Sequence, residues 1–146
     1  MVATNQNVFI DAKESMFKLN DGSQLRELTA YIKKLTGLPG QFKVNDVTTF
    51  GSVGERPGPS IFVVHFTVDF LFNMVTDVGV HTVLSAMHSG KALRAFEWYP
   101  AGTGTGNAKI YGSAYLPIYE ITSDVGNYIT AHGEFHADNG ITQGTA

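Results

Sequence analysis

Cysteine is absent from the 146 residues, which removes any disulfide framework, any thiol nucleophile and any Cys-ligated zinc. Charge is scarce too: Asp, Glu, Lys and Arg make up 16% of the chain, against roughly 25% in an average soluble domain. No apolar run approaches the ~18 residues of a membrane span, since Ile61-Phe62-Val63-Val64 stops at His65. The opening Met1-Val2-Ala3-Thr4-Asn5-Gln6-Asn7 has neither a basic start nor an apolar stretch, so no signal peptide is expected. A basic stripe is missing as well. Residues 1–60 hold seven Lys/Arg and six Asp/Glu, residues 61–146 hold three and seven, and the net charge is −3. Phosphate contacts supply most of the affinity of a nucleic-acid-binding module, so this acidic, aromatic-rich second half argues against one.

What is present is enough for a core. Hydrophobic residues reach 43%, with ten Phe and six Tyr, which excludes a disordered chain, and the length suits one domain. The expectation is a soluble single-domain product, or part of something assembled inside a cell. Turn-forming clusters recur at Asn20-Asp21-Gly22, Gly37-Leu38-Pro39-Gly40, Pro57-Gly58-Pro59, Gly102 to Gly106 and Asp138-Asn139-Gly140. With β-branched and aromatic residues between them, they predict a mainly β domain of short strands.

The clearest predicted strand is 61–72. Phe62, Val64, Phe66, Val68, Phe70 and Phe72 share one face, and His65, Thr67 and Asp69 fall on a mixed opposite face. Residues 92–99 and 107–121 read as strands joined through Gly102-Thr103-Gly104-Thr105-Gly106. Residues 126–137 read as another, with Thr130, His132, Glu134 and His136 opposite Ala131, Gly133 and Phe135. Gly112 and Gly133 mark a bulge or a close backbone approach, and Pro117 an edge position or a bend near the end of its strand. Val80, Val83, Leu84 and Met87 at helical spacing, followed by Gly90, predict one helix. Residues 24–35 fit a helix by period and an exposed strand by composition.

No constellation has both the residue types and the spacing of an active site, so no enzyme, cofactor or metal is expected. His132-Gly133-Glu134-Phe135-His136 has its Glu misplaced for a zinc protease. Along a strand its two His would stand ~13 Å apart, too far to share an ion. His81 and His88, two helical turns apart, read as surface or interface histidines. The alternating Gly102–Gly106 run lacks the spacing of a phosphate loop. Asp69, Glu97, Glu120 and Glu134 lie in or beside strands and read as a polar, negative sheet face. Trp98, Tyr99, Tyr111, Tyr115, Tyr119 and Tyr128 leave open a sugar-stacking platform, beside the plainer reading of core edge and subunit interface.

Residues Asp46-Val47-Thr48-Thr49-Phe50-Gly51 follow Leu38-Pro39-Gly40. A Pro/Gly loop, a long apolar strand, a short helix and Phe96-Glu97-Trp98-Tyr99 come next. The chain closes with Tyr119-Glu120-Ile121-Thr122-Ser123-Asp124-Val125-Gly126 and then Asp138-Asn139-Gly140. This order resembles the major tail tube proteins of long-tailed bacteriophages, from about Lys18 to Gly144. The departures are residues 1–17 and the loop Val53-Gly54-Glu55-Arg56. The resemblance implies a β-sandwich or partial barrel with one flanking helix, and 24–35 as strand. It implies homo-hexameric rings that share an inner β-barrel and stack into a tube through which DNA and the tape measure protein pass. It also implies tail tip and tail terminator partners and no membrane. The location implied is the virion tail, assembled in the host cytoplasm. The domain division expected is an arm, 1–17, and a tube domain, 18–146. Asp46, Val47, Thr48, Thr49, Phe50 and Gly51, with Glu55 and Arg56, are the implied ring–ring or subunit contacts. Asp69 and Glu134, on the mixed strand faces, are the lumen-lining candidates, because a basic bore would hold a duplex where an acidic one lets it slide. Two alternatives stand beside this: another hexameric ring component, such as a secretion-tube or tail-terminator protein, and a carbohydrate-binding β-sandwich module.

Overall fold

The computed structural model describes residues 10–74 and 79–146. The strands, in chain order, are β1 (Met16–Asn20), β2 (Leu25–Glu27), β3 (Ile32–Thr36), β4 (Gln41–Asp46), β5 (Pro57–Val63) and β6 (His65–Leu71). The helix α1 (Val80–Ser89) is followed by β7 (Arg94–Tyr99), β8 (Ala108–Thr122) and β9 (Thr130–Thr145). Seven strands form one antiparallel sheet in the order β2-β1-β7-β8-β9-β6-β3, and β4 and β5 form a separate hairpin.

The large sheet is rolled, and ring contacts prove it. In a flat sheet β1 and β6, four strand spacings apart, would be separated by ~19 Å. Yet Phe17 of β1 and Phe66 of β6 have ring centroids 6.4 Å apart, and Phe17 and Phe135 of β9 stand 6.3 Å apart. Sheet order and chain order agree: β2 and β3, the two outermost strands, are joined by only residues 28–31, so the sheet must curl to bring them near each other without pairing them. Inside lie Phe17, Leu19, Phe66, Phe70, Phe96 and Phe135, all essentially inaccessible to solvent. Val80, Val83, Leu84 and Met87 of α1 join the same cluster and pack the helix against β8. This is a mainly β partial barrel with one helix, as expected.

Several local features follow their residues. Gly90 closes α1 and donates its backbone N–H to Ala86. The register of β8 against β9 slips between Tyr111 and Ser113 and again between Tyr115 and Ile118, at Gly112 and beside Pro117. Such bulges bend long strands around a core. At Gly133 a Cβ would meet Leu116 Cδ1 at 3.1 Å, so this is the close approach its position in the strand implies.

Three expectations change. The single strand 61–72 is two strands that part company at Val64. Its carbonyl accepts from the Ala137 N–H and its side chain is buried, while Phe62, in the same alternation, lies exposed on the hairpin. Alternation keeps its phase when a chain changes sheets, so the pattern could not reveal the switch. Residues 24–35 are strand, as the resemblance implied, but in two pieces, β2 and β3, separated by a 3-10 turn at Thr29–Tyr31, with Leu28 buried. The Asp138-Asn139-Gly140 turn does not end its strand. Asn139 and Gly140, at φ 57° and 75°, form a bulge inside β9, which continues to Thr145. At the N-terminus, Met16 and Phe17 already belong to β1; the first nine residues of the expected arm lie outside the described residues.

Candidate assembly surfaces

The β4–β5 hairpin carries the segment Asp46–Gly51, and it is folded by its own polar groups. Asp46 Oδ1 accepts from the Thr48 N–H at 2.9 Å, and hydrogen bonds from Thr48, side chain first, hold the Asp46 carboxyl below the usual range. Thr48 Oγ1 accepts from the Arg56 N–H at 2.9 Å, and the Val47 N–H donates to the Arg56 carbonyl at 2.9 Å. Thr49 and Ser52 close the tip on each other. Six candidate contact residues, with Glu55 and Arg56, thus occupy one end of one hairpin, and all are exposed.

With the polar groups turned to each other, the apolar side chains face solvent. Phe50 and Val53 at the tip are fully exposed, and Phe42, Val44, Ile61 and Phe62 along the stem are about half exposed or more. Phe42 and Phe62 meet edge to face, with ring centroids 5.6 Å apart. A two-stranded hairpin is marginal in water by itself, and an apolar stripe on one marks an interaction surface. Sequence alternation hid the stem, because Phe62 and Ile61 read there as part of a core strand.

A second surface is the outer face of β8, β9, β6 and β3. Cross-strand register puts Glu120 opposite His132, which faces Asp69, which in turn faces Lys34. Glu134 lies between Ile118 and Thr67 on the same face. Both lumen candidates are partly exposed, Asp69 more than Glu134, and hydrogen-bonded: His132 Nδ1 stands 2.6 Å from Asp69 Oδ1, and His136 Nε2 stands 3.0 Å from Glu134 Oε1. The two His of His132–His136 therefore take separate carboxylates. Glu97 is elsewhere, on β7, where Tyr99 and Lys109 hydrogen-bond it. Burial pushes its pKa up, but those partners outweigh burial and hold it low.

The third feature is unpaired strand edge. On its β7 side, β8 is paired only through Ala114, which leaves Ile118–Thr122 without a strand neighbour there among the described residues. The far side of β3 has no strand neighbour among the described residues either, and presents the exposed Lys33 and Lys34.

The aromatics do not gather into one platform. Trp98 packs on the core, whereas Tyr99, on the opposite face of β7, is buried beneath Lys18 and Lys109, each 5.7 Å from its ring centroid. Tyr119 turns inward to α1, where its hydroxyl meets His81 Nδ1 at 2.9 Å and its ring lies 6.2 Å from that of His88. The two helix histidines, expected at the surface, thus share one tyrosine, with His88 remaining exposed.

No family model and no curated protein matches the sequence. Solved structures match its fold. A chain from the tail of the empty gene transfer agent particle, of C6 symmetry, superposes with a TM-score of 0.68 at 12% identity, over 92% of this chain and 98% of its own. The SPP1 tail tube gives 0.70 at 11% identity, over 94% and 80%. The fold is that of tail tube proteins. A chain in the structure of the anti-feeding prophage's tube-terminating cap shares this tail-tube fold, with a TM-score of 0.66 at 13% identity over the whole of both chains.

Proposed function

We propose that this chain is a structural tail tube subunit: it closes into homo-hexameric rings, the rings stack, and the tube conducts DNA and a tape measure protein. The observation that carries this reading is the exposed apolar hairpin, a self-folded projection whose Phe50 and Val53 are covered by nothing among the described residues. A head-to-tail contact made by such a projection is heterologous and grows a filament. Ring closure uses the open edges. The β3 edge, with Lys33 and Lys34, pairs with Ile118–Thr122 of the next copy, which carries Glu120. Joining edges in a closed ring removes the liability of unpaired strands.

Size supports the assignment of the outer face to the bore. Six copies, the symmetry of the gene transfer agent tail, of a four-stranded face give a barrel roughly 35–50 Å across at the backbone, from ~4.8 Å per strand and a tilt up to ~45°. Side chains then leave roughly 25–40 Å, from about half a sheet spacing on each wall, which admits a duplex. Asp69, Glu120 and Glu134 would line it, and no enzymatic step is required of any residue. Tail tip and terminator proteins would cap the ends, placing the chain in a virion tail assembled in the host cytoplasm.

The likeness to a tube-terminating cap supports a second reading, a ring that ends a tube. Negative-stain electron microscopy of the concentrated protein decides between them. Stacked six-fold tubes are expected; isolated rings favour the terminating component; a chain that stays monomeric at every concentration overturns both.

A further inference from the structure

His65, Glu134 and His136 come from two strands and converge at one place. Their ligand atoms all lie within 4.8 Å of one another. The register explains why. Val64 and Ala137 are a hydrogen-bonded pair, since the Ala137 N–H donates to the Val64 carbonyl, so the adjacent pair His65 and His136 is a non-hydrogen-bonded one. In such pairs the backbones approach to ~4.5 Å and the side chains are at their closest. The two imidazoles lie 3.7 Å apart, nearly parallel at 9°. Glu134, two residues before His136 on the same face of β9, holds that ring with its carboxylate at 3.0 Å.

We propose that these three residues form a site for one divalent transition ion, with zinc as its reference metal. Two imidazoles and a carboxylate are a donor set found in three-ligand zinc sites, the fourth position being left to water. Around a tetrahedral ion with ~2.05 Å bonds, ligand atoms stand ~3.3 Å apart. The Glu134–His136 separation of 3.0 Å is already close to that value. His65 has to approach the other two by at most about 1.5 Å, a side-chain rotation that also tips the stacked rings until their lone pairs converge. His65 is exposed and the other two are part-buried, so an ion reaches the site from solvent. Imidazole nitrogen favours Zn2+, Ni2+ and Cu2+ over Ca2+ and Mg2+, which need all-oxygen shells. Bridging β6 to β9, the ion would staple the strand at which the hairpin leaves the barrel. All three ligands lie in one chain, so the inference stands whether or not the chain builds a tube.

Equilibrium dialysis of the full chain, without a histidine tag, against zinc chloride tests it. One zinc per chain is expected. The melting temperature should rise by roughly 5–10 °C when free zinc is about a hundredfold above Kd. His65→Ala and His136→Ala abolish both effects, with His65→Gln as the variant that keeps bulk, and Glu134→Gln weakens binding at least about tenfold. His132→Ala, on the same face but outside the cluster, binds as the wild type does. Cu2+ as a spectroscopic probe should give an electron paramagnetic resonance signal coupled to two nitrogens. Failure to bind zinc, or binding unchanged in both His65→Ala and His136→Ala, overturns the proposal.

Discussion

His81 Nδ1 lies 2.9 Å from the Tyr119 hydroxyl, and this bond ties α1 to the long strand β8. The tie is placed where the helix needs it. Apolar packing through Val80, Val83, Leu84 and Met87 buries the inner side of α1, and the part-buried hydroxyl is satisfied instead of stranded. Tyr119→Phe should cost about 0.5–1.5 kcal/mol in a denaturant titration near neutral pH.

Burial also pushes the Tyr119 phenol up to about 12, from an ordinary 10.0. A raised folded-state value means that stability is intact below pH 10 and is lost as pH rises through 10 toward 12, because the folded state resists ionisation that the unfolded chain accepts. Wild type should therefore lose stability across that window more steeply than Tyr119→Phe. Equal alkaline slopes would remove burial as the cause.

Asp21 works at the opposite end of the pH scale. Its Oδ2 accepts from Arg26 Nε at 2.7 Å, and its Oδ1 accepts from the N–H groups of Ser23 and Gln24, which fixes the turn between β1 and β2. These bonds, Arg26 first, hold its carboxyl well below the usual range. A depressed value gives stability that is complete above the ordinary carboxylate pKa of ~3.9 and fades as pH falls through the lowered one. Asp21→Asn should thus be about 1 kcal/mol less stable at neutral pH, with the gap narrowing in strong acid. Urea unfolding at both pH values measures the gap.

Much of this was legible in the sequence because it rests on local patterns. Alternation gave Val64 to Phe70 as core and set Ala131 and Phe135 opposite His132 and Glu134, helical spacing gave α1, and Gly112 and Pro117 announced the bends in β8. What stayed hidden depends on register between distant segments. Nothing along the chain pairs His65 with His136, 71 positions apart, or Asp69 with His132. Phe42 and Phe62 look like core residues by hydrophobicity, and only pairing with β4 sets them on an exposed hairpin. The Asp46–Gly51 segment stood out for its order within a familiar layout, not for any physical signal in its residues.

Phe50 separates folding from assembly. Fully exposed at the hairpin tip, it contributes little to the monomer, so Phe50→Asp should change stability by no more than about 0.5 kcal/mol. A charge there, desolvated between rings, should abolish tubes while leaving single rings. Electron microscopy and melting curves on the same preparation read both effects. Normal tubes from Phe50→Asp would remove this hairpin from the stacking interface.

Ring closure offers a reversible test. Lys34 on the β3 edge and Glu120 on the free stretch of β8 are both exposed and opposite in sign. One such pair is worth only about 0.2–1 kcal/mol, but the proposed homo-hexameric ring would repeat it at every closure. Lys34→Glu and Glu120→Lys should each reduce the ring fraction in sedimentation velocity, and the double variant should restore it. Failure of the double variant to recover would place these edges at different interfaces.

Asp69 and Glu134 carry the prediction closest to function. Each shares a hydrogen bond with a histidine of β9, yet each keeps a partly exposed carboxylate on the four-stranded outer face. Double-stranded DNA presents one negative charge per ~1.7 Å, so a bore ringed with lysine would bind the duplex that it should pass. Asp69→Lys with Glu134→Lys should leave tubes intact by electron microscopy and cut DNA delivery in an infectivity assay. The neutral pair Asp69→Asn with Glu134→Gln should have a much smaller effect. The assay belongs in chelator, so that no ion masks Glu134. Since binding by added lysines is electrostatic, raising the salt should recover part of the loss. Unchanged infectivity in the lysine variant would place this face away from the bore.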